Sequence, residues 1–214
     1  MAGDKPAGAG TAHAPAQPGK WRLGGALWLL GMPGVVAVVW ALLPTLKVNE
    51  ALLPLPLEAV LLLSGLQTAV LLALAVALGV WLAPRVGLRA PAVSSWMAGQ
   101  PAGPALRAQL VPGLWGGVAG AAWLWLLSRL APAALQPSDP ANAMPLAVKL
   151  LYGGITEELL MRWGVMTLLL WLGWRLLQRG HGQPRKGLVA TAVLLSAVLF
   201  AVGHLPAAQA LAGV

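Results

Sequence analysis

Gly24 to Leu46 reads GGALWLLGMPGVVAVVWALLPTL, 23 residues without a charge. A hydrocarbon core about 30 Å thick needs about 20 apolar residues in helical form, so this stretch is long enough to span a bilayer. It exceeds the apolar region of about 7–15 residues that a cleaved signal peptide carries. It is therefore read as an uncleaved transmembrane helix with Pro33 as a candidate kink. Four further apolar runs follow, so that spans are expected at approximately 24–46, 59–83, 110–131, 145–177 and 188–205. None alternates with the period of a strand, and a closed barrel would need many strands of about 10 residues. The expected fold is an all-α polytopic membrane protein with about five transmembrane helices.

Composition agrees. Asp, Glu, Lys and Arg make up 9% of the 214 residues, against roughly 25% in soluble chains. The hydrophobic set is 58%, with 26 glycines besides, more apolar surface than a soluble sphere of this size hides. With no cysteine in the chain, disulfide scaffolds, thiolate zinc sites and cysteine nucleophiles are excluded. The formal charge of +8 is spread between apolar runs rather than gathered on one basic face, which argues against nucleic acid as a partner. Membrane lipids are the expected partner. Residues 1–20, rich in Ala, Gly and Pro, are expected to form a disordered tail, and residues 21–214 one helical transmembrane domain.

The charges also orient the spans. Lys5, Lys20 and Arg22 precede the first. Arg85, Arg89 and Arg107 lie between the second and third, and Arg175, Arg179, Arg185 and Lys186 between the fourth and fifth. By the positive-inside rule these segments, and the N-terminus, are cytoplasmic. The Ala-rich composition points to a bacterial inner membrane. Trp21, Trp81, Trp171 and Trp174 fall near span ends, as interfacial anchors do.

The fourth run is the unusual one. It reads Tyr152-Gly-Gly-Ile-Thr-Glu157-Glu158-Leu-Leu-Met-Arg162-Trp-Gly164, and each ionised side chain near a bilayer centre costs roughly 2.5–3.5 kcal/mol on insertion scales. Glu158 and Arg162 stand four apart in the favourable order for a pair on one helix face. Glu157 projects about 100° away and has no local partner. Gly153 and Gly164 share the Glu157 face, so a neighbouring backbone can approach closely there. The fifth run supplies Phe200 and His204 at i,i+4, with Ser196 and Gly203 bordering the same stripe. Counted from their shared loop at 1.5 Å per residue, Glu157 and His204 come level within about 6 Å, toward the outer side of the membrane. An acid, a His and a salt-bridged Arg thus converge in one layer. The same residues suit a polar lock for packing in a non-catalytic immunity or scaffold protein, or a small transporter or proton relay.

Glu157-Glu158-x-x-x-Arg162 followed by Phe200-x-x-x-His204 resembles the first two motifs of the CPBP family, the CAAX prenyl protease and bacteriocin-processing (Abi) intramembrane proteases. The resemblance covers roughly residues 145–206. It implies an endopeptidase that cleaves a membrane-proximal or lipidated protein or peptide. It further implies Glu157 as the residue activating water, Glu158 and Arg162 as catalytic support, and His204 holding the water or a metal, with Phe200 supporting. Any metal would rest on Glu157 and His204, fewer ligands than the three or four zinc takes. The family's third motif, a second His followed by Asn or Asp, has no counterpart after His204. That departure, with the uncharged stretch from Gly187 to Val214, leads to the expectation that a longer native chain continues into a further helix.

Overall fold

The computed structural model describes residues 18–130 and 144–212, and among these every regular element is helical. The first long helix, α1 (Lys20–Val48), runs continuously through Pro33 and Pro44. A 3₁₀ turn at Glu50–Leu52 leads to α2 (Leu57–Leu82), which ends in a second 3₁₀ turn, Ala83–Val86, closed by Gly87 at φ 78°. The short α3 (Pro91–Met97), not expected from sequence, precedes α4 (Gly103–Leu130). Then come α5 (Leu146–Val148), two π-helical segments at Lys149–Thr156 and Leu159–Met166, and α6 (Thr167–Leu177). Together they form one rod over 146–177. The last helix is α7 (Lys186–Ala212).

Four of the five expected spans are thus long, apolar, uninterrupted helices, and the chain is a multi-pass membrane protein. The fourth is helical over the expected range but is wound largely as π-helix. The third starts near Gly103 instead of residue 110, and the last passes through Pro206 to Ala212 instead of stopping at 205. Residues 1–17 of the expected tail lie outside the described residues, whereas Lys20 already belongs to α1.

The rod is the centre of the assembly. Its upper half packs on α1, its middle on α2, and its lower half on α7. In lipid there is no hydrophobic drive between helices, so close van der Waals contact at small residues must hold them. That is what the glycines permit. A Cβ on Gly31 would lie 2.7 Å from Leu72 Cδ2, and one on Gly34 would collide with Thr156 and the Leu151 carbonyl. On α2, Gly79 makes room for the Trp163 ring, while Gly164 of the rod lies so near Ala75 that a Cβ there would stand 2.6 Å from the Ala75 Cβ. Leu27, Val35, Leu72, Val76 and Val80 form the core against which Leu159, Leu160 and Trp163 press. Trp163 Nε1 is buried there without a hydrogen-bond partner. In contrast, α4 buries no residue.

One end of the bundle gathers the basic segments. Lys20 Nζ sits 4.3 Å from the Trp81 ring centre, and Trp21 meets Trp81 edge-on at 6.3 Å. Val86, Leu170 and Ala192 share a second core with Trp171 and Trp174. The turn joining α6 to α7 is fixed by Gln178, whose amide donates to the carbonyls of His181 and Gln183 and whose oxygen accepts from Arg185 N at 2.8 Å. Trp174 Nε1 donates to the Gly182 carbonyl at 2.9 Å. This turn sets the register of α7 along the rod.

The glycine contacts make a test. Gly164→Leu must push α2 and the rod apart, and overpacking of this kind costs about 1–3 kcal/mol. Gly113→Leu on α4, where a Cβ meets nothing within 4 Å, is expected to leave stability unchanged or slightly raised. Thermal melting of the detergent-purified variants should separate them by several degrees.

Candidate active site

Glu157 and Glu158 occupy the two-residue α-helical step between the π segments. A π turn closes i→i+5 bonds and so advances each residue by less than the roughly 100° of an α-helix. Seven residues then no longer return to the same face. Gly164 accordingly packs on α2, whereas Glu157 faces α7, which corrects the shared face expected from α-helical spacing. Gly153, unlike Gly164, meets no neighbouring backbone within 4 Å. It borders a cavity, and the nearest atom to its absent Cβ is Glu157 Oε2 at 3.6 Å.

The convergence expected from helix counting is present. His204 Nε2 lies 3.5 Å from Glu157 Oε1. Beside the pair, Thr156 is bonded to Gly31 of α1.

The two carboxylates have different surroundings. The Glu157 side chain is 19% exposed; Glu158 and Arg162 are 54% and 58% exposed. Glu158 Oε2 and Arg162 Nε are 3.5 Å apart, so the pair exists, but it lines an open wall and is not a buried lock. A cavity of about 180 Å³ lies between the rod and α7, bounded by Gly153, Glu157, Glu158, Arg162, Ser196 and Phe200 among others. Ser196 is nearly buried, its hydroxyl donated to the Val193 carbonyl. Gly203, expected to border the same stripe, has open space beside it.

His204 is held in one tautomer by its own helix. Its Nδ1 is 2.8 Å from the Phe200 carbonyl oxygen, which can only accept, so Nδ1 carries the hydrogen. The Phe200 ring lies against the imidazole at 4.1 Å between centres. In the neutral ring Nε2 is then a lone-pair acceptor, and it faces a carboxylate oxygen. Two acceptors 3.5 Å apart repel unless a donor lies between or beside them. A proton shared by the pair would serve, and so would a water that donates one hydrogen to each.

Metal chemistry finds little purchase here. The site brings two donors together, Glu157 and His204, and no group of three or more His, Asp or Glu occurs among the described residues. Zinc in catalytic sites takes three protein ligands, so Glu157 and His204 by themselves do not fit one.

Thr156 and Thr167, both fully buried, were not singled out by the sequence reading. Each donates its hydroxyl to the carbonyl five residues earlier, Leu151 at 3.3 Å and Arg162 at 3.2 Å. In an α-helix such back-bonds reach three or four residues, so a reading in α-helical terms carries no signal for them.

These features define a multi-pass helical membrane protein with a carboxylate–imidazole site between two spanning segments. Residues 139–214 match the family described as Type II CAAX prenyl endopeptidase Rce1-like, so the family resemblance read from the two motifs holds over that segment. The match takes in Glu157, Glu158, Arg162, Phe200 and His204, and leaves α1 to α4 outside it. No curated protein and no solved structure matches the chain.

Charge balance in the open wall can be tested directly. Glu158→Gln leaves Arg162 without a counter-charge inside the membrane, where an unpaired cation costs about 2.5–3.5 kcal/mol. Membrane abundance should fall, and Glu158→Gln with Arg162→Gln should recover much of it. Quantitative immunoblots of membrane fractions measure both. Equal abundance of the single variant and the wild type would show that the pair contributes nothing to insertion.

Proposed function

We propose that the protein is an intramembrane endopeptidase in which Glu157 is the general base. The observation that carries this reading is the 3.5 Å approach of Glu157 to a His204 whose hydrogen is committed to the Phe200 carbonyl. A water bound by both acceptors is oriented for attack before substrate arrives. As its oxygen bonds to the scissile carbonyl carbon, one proton passes to Glu157. Collapse of the tetrahedral intermediate breaks the C–N bond, and Glu157 returns that proton to the leaving amine. General-base assistance of this kind contributes about 10²–10⁴-fold. Glu158 and Arg162 support the wall that the substrate lies against, and Phe200 keeps His204 in its tautomer and orientation. The developing oxyanion needs donors as well. In the family these come from the third motif, which residues 205–214 do not supply.

The substrate is a membrane-proximal or lipidated peptide. The cavity lies between the rod and α7 beside the exposed Glu158–Arg162 wall, and such a chain reaches it from within the bilayer. The family's substrate, a prenylated C-terminus, is the first probe to use. The N-terminus and the α6–α7 turn are on the cytoplasmic side of a plasma membrane, because Lys20, Arg22, Arg85, Arg175 and Arg179 gather at one end of the bundle. Reporter fusions after residue 183 and residue 140 should report opposite sides. The same side for both would overturn the five-span arrangement.

Glu157→Gln keeps shape and hydrogen bonding while removing the proton acceptor. With protein levels matched, it should lose at least ~10²-fold in kcat on a quenched fluorescent peptide carrying a prenylated cysteine near its C-terminus. Full turnover by this variant would remove the glutamate-base mechanism and favour a scaffold role.

A further inference from the structure

We propose that Thr156 is a positioning residue: by donating its hydroxyl to the Gly31 carbonyl of α1, it holds the neighbouring Glu157 against His204. The proposal rests on the reading of Glu157 and His204 as the reacting pair. Thr156 is fully buried and does not line the cavity, so it acts only through its neighbour. Its Oγ1 lies 2.7 Å from the Gly31 oxygen, across 125 residues of sequence. Among the described residues this is the one side-chain hydrogen bond joining the rod to another spanning helix. Gly31 lies inside α1, where its carbonyl already has a place in the helical ladder. Thr156 therefore adds a second donor rather than rescuing an orphaned oxygen. A bond that satisfies nothing otherwise unsatisfied has a geometric consequence instead: it fixes the rotation of the rod about its own axis.

That rotation matters because the rod is wound in a rare form. Long π-helical runs are uncommon, and such backbone persists where its surroundings over-determine it. Thr156 meets both requirements at one atom. The hydroxyl is shared between Gly31 and the Leu151 carbonyl, five residues back. Thr167 repeats the five-residue reach on the far side of the Glu157–Arg162 segment. Gly34 completes the contact, since any Cβ there would strike both Thr156 and the Leu151 carbonyl. With side chains about 5–6 Å from the helix axis, a turn of roughly 20° would carry the Glu157 carboxylate about 2 Å. Its approach to His204 is 3.5 Å, so a movement of that size dissolves the pair.

The chain contains only three histidines, His13, His181 and His204, which makes the pair visible without any cleavage assay. Histidine ¹⁵N-labelled full-length protein in nanodiscs gives few imidazole signals, and His204→Ala assigns those of His204. Thr156→Val, nearly isosteric, and Thr156→Ala both remove the hydroxyl, whereas Thr156→Ser retains it. Glu157→Gln provides the reference for a lost carboxylate. The Val and Ala variants should move the His204 signals toward those of Glu157→Gln, and Thr156→Ser should leave them at wild-type positions. On the prenylated peptide the same two variants should lower kcat by ~10–100-fold, the scale of a misplacement of about 1 Å, with KM nearly unchanged. Wild-type His204 signals in both variants would overturn the proposal, as would a Glu157→Gln that leaves His204 unmoved. So would a Val and an Ala variant that fail to accumulate while Ser does, because the bond would then serve folding alone. Full turnover by Glu157→Gln would strike the proteolytic reading, yet the His204 signals would still judge Thr156.

Discussion

The arrangement depends on how closely the rod over 146–177 approaches α1 and α2. Lipid supplies no solvent to be expelled from between helices, so attraction comes from atoms in contact. Gly31 and Gly34 on α1, Gly79 on α2 and Gly164 on the rod remove the side chains that would hold the backbones apart. The short separation then allows a hydroxyl on one helix to reach a carbonyl on the next, as Thr156 reaches Gly31. A polar segment is thereby attached to the apolar bundle along one side, with Glu157 turned toward α7 and Glu158 and Arg162 on an open face.

Much of the fold was legible because the bilayer asks a simple question of each segment. Apolar length answered it for α1, α2, α4 and α7, and the i,i+4 spacings of Glu158 with Arg162 and of Phe200 with His204 correspond to contacts that form. The meeting of Glu157 with His204 followed from counting residues around a shared turn. What failed was the assumption of 3.6 residues per turn within the rod. It put Gly164 on the wrong face. The π winding is accompanied by the five-residue back-bonds of Thr156 and Thr167 and by the bond of Thr156 to Gly31 of α1, and neither residue type announces that role in a sequence. The short α3 was missed for an ordinary reason: seven residues beginning at Pro91 are too few for an apolar periodicity to emerge.

Charge in the interior is tolerated here by pairing acceptors with what they face. Glu158 has Arg162 on its own helix and needs no other element. Glu157 has only His204, on a different helix, and that histidine has already given its hydrogen to Phe200. The contrast makes the second pair conditional. It is stable with a proton or a water between its members and strained without one, whereas the Glu158–Arg162 pair is complete in itself.

Two adjacent residues of one type are thus separated by environment alone, a recurrent way of dividing labour between carboxylates. On an ordinary α-helix neighbours already point about 100° apart, which would send Glu157 and Glu158 to different partners wherever they stood. The present rod does more. It places them on a short α-helical step between two wider segments, so their directions are referred to α1 through Thr156 and to α7 through the α6–α7 turn. Exchanging their roles would therefore need more than exchanging partners. Moving His204 by one residue along α7 would turn its ring about 100° out of the interface, and moving the glutamate pair one residue back, to bring Glu158 opposite the imidazole, would put Glu157 where Thr156 is anchored. Position along a buried rod, rather than the chemistry of the carboxyl group, decides which glutamate faces the imidazole.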